Sequence, residues 1–301
     1  MHSNKMYASS LRTMRAVLFV SMCLGHFATA LVVKNIYLYP IKSCGRVEVE
    51  KSKVTQFGLE FDRRWAVVGR ANSASKWDVL VQYKDMYKLA KIRPRFDFSD
   101  SERPRLILSA IDLPDDFKFI GPEEVAIDIP RTDNEAIQIL NMKYLDVNDV
   151  MRSSIKKNGV VDGGHEKARA WLSEIMAVVL RDEDDDDDEA DDEGSAYTEY
   201  TIAYMLDGGG RDLAEDPMYK RLHNLRGNGA DETAFADTAQ LTVATEKSLE
   251  SLNRRNGYDF RIDMGRFRMN IILDGEKEFD EFKWSVIEFV KELDGGERVS
   301  S

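Results

Sequence analysis

Cysteine is almost missing from this chain of 301 residues: Cys23 and Cys44 are the only two, too few for a disulfide framework. Histidine is nearly as scarce, and His2, His26, His165 and His223 show no metal-ligand spacing. No segment repeats at a fixed period. There is no excess of positive charge either. The formal net charge is −12, which excludes nonspecific nucleic-acid binding through a global basic field. Most of that charge is local, since eleven of the twelve residues from Asp182 to Glu193 are Asp or Glu, and removing them leaves a body near −1. What is present suits a folded protein. With 43% apolar and 32% charged residues, a substantial core can be buried and wholesale disorder is excluded.

One long uncharged run stands out, Ala16–Val33. Arg12 and Arg15 precede it, and Ala28-Thr29-Ala30 supplies a small-x-small site. The pattern predicts a secretory signal over residues 1–30, cleaved near Ala30, and so a destination in the secretory pathway or an organelle. The alternatives are a retained membrane anchor, for which the run is barely long enough, and a buried core segment. Cleavage would also remove Cys23 and leave Cys44 as the sole thiol.

From Val32 the texture is β. Val32–Tyr39, Val47–Val54, Trp65–Val68, Val79–Val81, Leu106–Leu108, Val125–Ile129 and Ile137–Leu140 are short apolar or alternating stretches between turn-rich pieces, as in a small barrel or sandwich. Glu166–Leu180 places Ala170, Leu172, Ile175, Met176 and Val179 at helical spacing. The acidic run, within 181–195, reads as a solvated, disordered insertion. Then come a strand at Leu241–Val243 and a helix over Thr245–Asn253, capped by Thr245, with Leu249 and Leu252 inward and Asn256-Gly257 ending it. Ile271–Leu273 and Trp284–Val290 follow, and 294–301 reads as a polar tail. His165, after Gly163-Gly164 at a helix start, is assigned no function.

Four pieces carry candidate chemistry. In Tyr39-Pro40-Ile41-Lys42-Ser43-Cys44-Gly45, proline stops a strand and puts Lys42 and Ser43 on a tight loop. There a charge and a hydroxyl can grip one phosphate, although a plain polar turn uses the same residues. In Gly58-Leu59-Glu60-Phe61-Asp62-Arg63-Arg64-Trp65, one arginine can pair with Asp62 and another can join Lys42. The others are Ala236-Asp237-Thr238-Ala239-Gln240 and Gly265-Arg266-Phe267-Arg268-Met269-Asn270-Ile271. In the last, Arg266, Arg268 and Asn270 alternate along an expected extended segment and so share a face.

Taken together these pieces resemble a known family. The first two look like the opening of the N-terminal β-barrel domain that accompanies MOSC domains. Thr242–Asn253 and Phe267-Arg268-Met269-Asn270-Ile271 look like the MOSC domain itself, shared by molybdenum cofactor sulfurases and the amidoxime-reducing component. The resemblance implies a mainly β fold with some α: a leader at 1–30, a small β-barrel domain over 31–150, and a MOSC β-barrel domain with flanking helices over 151–293. It also implies binding of the molybdenum cofactor (molybdenum–molybdopterin), with Lys42, Ser43 and Arg63 on its phosphate and pterin end, Asp237, Thr238 and Arg268 completing the pocket, and Asn270 beside it. The implied activity is that of an oxidoreductase, reducing N-hydroxylated compounds by two-electron oxo transfer with electrons from a cytochrome b5-type donor. The family's metal-binding thiolate lies downstream of the Trp-x-x-Ile strand, here Trp284–Ile287, and no cysteine follows Cys44. Soft thiolate ligation has no substitute in this tail, so no metal ligand is assigned. The chain therefore reads either as truncated before that cysteine or as a non-catalytic molybdopterin carrier. Sulfur transfer of the sulfurase kind is the other alternative, but the chain is too short to hold the pyridoxal-phosphate domain such enzymes carry upstream.

Overall fold

The computed structural model describes residues 17–21, 29–71, 77–79, 86–129, 142–143, 160–179, 197–207, 209–212, 232–236, 239–257, 259–275, 277–284, 286–292 and 298–300. The fold is mainly β with some α, and it divides into two compact units. The terminal unit comprises Met1–Leu38, Glu48–Glu60 and Leu241–Ser301; the central unit comprises Tyr39–Val47 and Phe61–Gln240. Among the described residues the sheets are open paths of strands.

The terminal unit is organised by strand β2 (Thr29–Leu38), which pairs antiparallel with β1 (Val17–Ser21) and also contacts β3 (Val47–Val49). On its other side lies β17 (Ile271–Leu273), itself parallel to β16 (Val243–Thr245). Beyond β1 the sheet continues through β18 (Val286–Glu292) and β19 (Arg298–Ser300). A small hairpin, β4 (Val54–Thr55) with β5 (Gly58–Leu59), completes the unit's strands. Leu31, Ile271 and Leu273 form its buried core, with Val33, Leu241, Val243, Trp284 and Ile287 packed against them. Helix α3 (Glu246–Arg255) starts where the sequence says it should: Thr245 Oγ1 accepts the Ser248 amide at 3.2 Å. It ends at Asn256 and Gly257, whose φ of +64° is the left-handed turn that glycine adopts without strain.

Several expectations need correction here. Leu249 and Leu252 are only half-buried; the inward positions are Ser248 and Ser251, because Ser248 Oγ takes the Phe279 amide and bonds Thr245 Oγ1. The segment Gly265–Asn270 is not extended. Met264–Phe267 is a 3-10 turn capped by Asp263, whose Oδ1 accepts the Gly265 amide at 2.7 Å, and Arg268 is left-handed with φ 53°. Local side-chain bonding has outcompeted the strand, so Arg266, Arg268 and Asn270 do not alternate on one face. Part of the expected polar tail is β19. Within the apolar run, Val17–Ser21 is a strand, and no helix among the described residues is long and apolar enough to cross a membrane.

The central unit holds a five-stranded sheet in the order β11 (Met142–Lys143), β7 (Trp77–Val79), β6 (Trp65–Arg70), β13 (Glu199–Met205) and β12 (Val160–Asp162). A three-stranded antiparallel sheet is made of β8 (Ile92–Asp97), β9 (Arg105–Ala110) and β10 (Val125–Asp128). A short pair, β14 (Arg211–Asp212) with β15 (Glu232–Thr233), and the single-turn helix α1 (Met86–Leu89) complete it. Trp65–Gly69 is buried at every position, as an apolar run inside a sheet requires. Helix α2 (Glu166–Val179) buries Ala168, Trp171, Leu172, Ile175 and Met176, one stripe at i, i+3, i+4, i+7 and i+8. Ala170, expected inside, is exposed. His165 caps this helix: Nδ1 accepts the Ala168 amide at 3.2 Å, and Nε2 lies 2.7 Å from the Ala126 carbonyl of β10. The expected strand at Ile137–Leu140, the acidic insertion, residues 22–28 and residues 293–297 lie outside the described residues.

Candidate functional site

Two loops of the central unit meet at Tyr39 and Trp65. In the first, Ile41 bridges to Trp65; the Lys42 amide donates to the Trp65 carbonyl (2.8 Å) and the Trp65 amide to the Pro40 carbonyl (3.0 Å). That clamp forces a sharp reversal, in which Ser43 is left-handed at φ 65° and Gly45 runs against β8, its amide on the Ile92 carbonyl at 2.9 Å. A Cβ at Gly45 would lie 2.7 Å from Arg93 Cδ and 3.1 Å from the Ile92 carbonyl, so a larger residue would require the Arg93 side chain to move. Between them Cys44 is wholly buried in the apolar core with Ile41, Trp65 and Leu89. Its sulfur is a core atom.

The second loop turns twice through left-handed residues, Phe61 at φ 67° and Arg63 at φ 49°. Asp62 is buried. Its Oδ1 accepts the Tyr39 amide at 2.7 Å, and its Oδ2 pairs with Arg63 Nη1. The Arg63 guanidinium sits 5.1 Å above the Tyr39 ring, and its amide donates to the Tyr39 carbonyl at 2.9 Å. Arg64 turns elsewhere: its Nε donates to the Met205 carbonyl at 3.0 Å, Nη2 pairs with Asp207 at 2.8 Å, and its guanidinium lies over Tyr204. The expected division, one arginine on Asp62 and the other beside Lys42, is not seen: Arg63 takes the Asp62 pair, and Arg64 is buried against Met205, Asp207 and Tyr204.

A third segment joins the two loops. Lys42 Nζ donates to the Phe235 carbonyl at 3.1 Å, while the Phe235 amide donates to the Arg63 carbonyl at 2.9 Å. The Lys42 side chain, only 4% exposed, and the Arg63 main chain therefore both bond Phe235, two positions ahead of Asp237. The structure brings Lys42, Ser43 and Arg63 together; Asp237 and Thr238 lie outside the described residues. Arg268 and Asn270 belong to the terminal unit. There Thr242 Oγ1 donates to the Arg268 carbonyl at 3.2 Å, and Asn270 is a buried clip. Asn270 Nδ2 donates to the Tyr37 carbonyl at 3.1 Å, and its Oδ1 accepts from the Thr242 amide (3.2 Å) and hydroxyl (2.9 Å).

Sequence reasoning missed the Phe235 backbone, for which no residue type gives a signal. It also missed Tyr39, whose aromatic ring before a Pro-Ile-Lys-Ser turn could have been read as a seat for an arginine. The corner is cationic and dehydrated, which suits an oxyanion gripped by charge-assisted bonds. Trp65 Nε1 and Thr233 Oγ1 add to that fit: both are buried and neither makes a hydrogen bond. Trp65 carries the carbonyl that receives Lys42, and Thr233 stands two residues before Phe235. No group of His, Cys, Asp and Glu among the described residues is arranged to hold a metal ion.

Residues 30–178 match the MOSC N-terminal beta barrel domain, and residues 230–298 match the MOSC domain. The chain is 25% identical over 260 residues to the molybdenum cofactor sulfurase of Bos taurus, covering 85% of this chain and 24% of that protein. It is 26% identical over 261 residues to the molybdenum cofactor sulfurase of Homo sapiens, with coverages of 85% and 24%. For the molybdenum cofactor sulfurase of Oryza sativa subsp. japonica the figures are 22% over 259 residues, 84% and 25%. The chain spans about a quarter of the length of these relatives.

Proposed function

The chain is a MOSC-domain protein with the MOSC N-terminal beta barrel domain ahead of it, and we propose that it binds the molybdenum cofactor by the cofactor's anionic end. The observation that carries this reading is the buried Lys42 ammonium on the Phe235 carbonyl, with the Phe235 amide bonded to the main chain of the Arg63 turn. Lys42 would hold a phosphate oxygen by charge. Ser43, whose hydroxyl makes no hydrogen bond among the described residues, would add a donor beside it, and Arg63 would present a planar edge. Asp237 and Thr238 are proposed to complete the grip. Asn270 is engaged as a backbone clip, and its part is to hold the Arg268 turn in place.

When bound, the cofactor supplies two-electron oxo transfer. We attach to this site the reduction of N-hydroxylated compounds, with electrons from a cytochrome b5-type donor. A second reading is a non-catalytic molybdopterin carrier. One observation favours it: Cys44, the described cysteine, is sealed in the apolar core and offers no thiolate to a metal. Sulfur transfer is named in the relatives and comes to this chain only as a further alternative.

The test is molybdenum and pterin per chain in the purified full-length protein, by elemental analysis and by fluorescence of the oxidised pterin, with amidoxime reduction assayed alongside. Pterin, metal and turnover support the reductase; pterin without turnover supports the carrier. No pterin from a host that makes the cofactor refutes both. For localisation, the proposed leader predicts a mature N-terminus near Leu31 in protein recovered from its compartment. An intact mass that includes residues 1–30 would refute cleavage. Cleavage there leaves the pairing of Val33–Ile36 with β17 in place but removes β1, the strand that joins β2 to β18.

A further inference from the structure

Adjacent residues on an extended chain point to opposite faces and cannot pair. Asp62 and Arg63 do pair, because the left-handed turn at Arg63, φ 49°, folds both side chains to one side. Asp62 is buried, and its second oxygen is committed to the Tyr39 amide at 2.7 Å. The carboxylate is therefore fixed to the residue whose ring lies 5.1 Å beneath the Arg63 guanidinium. A guanidinium carries five N–H donors in one plane, so holding one edge against Asp62 sets the bearing of the others. The ring below sets the tilt.

We propose that Asp62 is a positioning residue of the site, holding the Arg63 guanidinium in the orientation that grips an oxyanion of the bound cofactor and acting on affinity only through Arg63. The inference rests on the cofactor reading above. It differs from a purely structural role in one measurable respect. A carboxylate that merely stabilises the loop would affect binding whatever residue stood at 63, whereas a positioning carboxylate matters only while Arg63 is there to be aimed.

The experiment is a double-mutant cycle on the full-length chain, with cofactor affinity measured by pterin fluorescence and thermal unfolding followed in parallel. Asp62→Asn keeps an oxygen for the Tyr39 amide and gives up the ionic partner of Arg63. The expected result is about a tenfold loss of affinity for Asp62→Asn, at least that for Arg63→Ala, and no further loss when the two are combined. Asp62→Glu, which keeps the charge, is expected to recover part of the loss. Equal affinity of Asp62→Asn and the wild type, or the same factor of loss with and without Arg63, would overturn the proposal. Should Asp62→Asn fail to fold, Arg63→Lys serves instead. It keeps the charge without a planar edge and is expected to lose about tenfold with unchanged unfolding, and unchanged affinity would overturn the inference. A wild-type chain that binds no pterin defeats the cofactor reading; binding that is indifferent to these changes defeats this inference alone.

Discussion

Replacing Asn270 by alanine separates a backbone clip from a ligand contact. The side chain is wholly buried and makes three hydrogen bonds, one from Nδ2 to the Tyr37 carbonyl and two to Oδ1 from the Thr242 amide and hydroxyl. Each has a net worth of about 1 kcal/mol, so the substitution is expected to cost about 3 kcal/mol. The amide and carbonyl left behind are buried polar groups, which pushes the cost up; a water entering the small void pulls it down, and about 2–4 kcal/mol brackets the outcome. Urea denaturation of the full-length protein measures it, with an expected midpoint shift of about 1–2 M for a urea slope of about 2 kcal/mol per M. Native-state hydrogen exchange localises it. The amides of Tyr37, bonded to the Asn270 carbonyl, and of Ile271, bonded to the Thr242 carbonyl, should lose protection first. Thr242→Val shares one bond with Asn270 and should show a coupling of about 1 kcal/mol in the double mutant. A loss below about 1 kcal/mol, accompanied by an emptied cofactor site, would refute the clip and return Asn270 to the ligand.

Lys42→Ala should weaken pterin retention by about 1.5–3 kcal/mol, and undiminished retention removes it from the site. Ser43→Gly exchanges a strained left-handed residue for one that adopts φ 65° freely, so stability should hold or rise by up to about 1 kcal/mol while pterin affinity falls; a clear destabilisation would show that the serine is structural. His165→Ala should cost about 1–2 kcal/mol in urea denaturation through loss of the α2 cap, and His165→Asn, a good capping residue, should restore part of it. The Asp97 carboxyl is held at about 2 by the Ser99 hydroxyl and amide and then by Arg105. Its folded pKa lies below the unfolded value, so its stabilising effect is present above about pH 4 and fades as pH falls through about 2; Ser99→Ala should raise the midpoint seen by carbon NMR.

Local signals were legible where the residues that make them are neighbours. Thr245 before an amphipathic stretch gave a helix start, Asn256-Gly257 its end, and the apolar run at Trp65 a buried strand. The approach of the Lys42 and Arg63 loops was legible too, though only through resemblance to a family. Three things were not. The pairing of β2 with β17 joins residues more than two hundred positions apart, and no local pattern encodes which strand a β-rich segment will choose. Gly265–Asn270 reads as alternating, but a single Asp263 carboxylate on the Gly265 amide makes it a turn. The inward face of α3 carries serines where leucine would be expected, because the partners of Ser248, Thr245 and Phe279, lie before the helix and far beyond it.

Three of the four left-handed residues other than glycine described in the central unit lie at the candidate site, Asp112 being the fourth. Ser43, Phe61 and Arg63 are all left-handed and none is glycine, although a residue with a Cβ costs about 1–2 kcal/mol in that conformation. Backbone bonds hold the two loops in place: Lys42 to Trp65, Trp65 to Pro40, Arg63 to Tyr39 and Gly45 to Ile92. Those bonds involve only main-chain atoms, so they would tolerate glycine at 43 and 63 equally well. What glycine would remove is the Ser43 hydroxyl, which bonds nothing in the described structure, and the Arg63 guanidinium, held between Asp62 and the Tyr39 ring. The Arg63 guanidinium has a folding role as the partner of the buried Asp62 carboxylate, whereas the Ser43 hydroxyl, which makes no hydrogen bond among the described residues, has none. On the proposed reading an anion meets that hydroxyl beside Lys42, and the affinities of Ser43→Gly and Lys42→Ala test it.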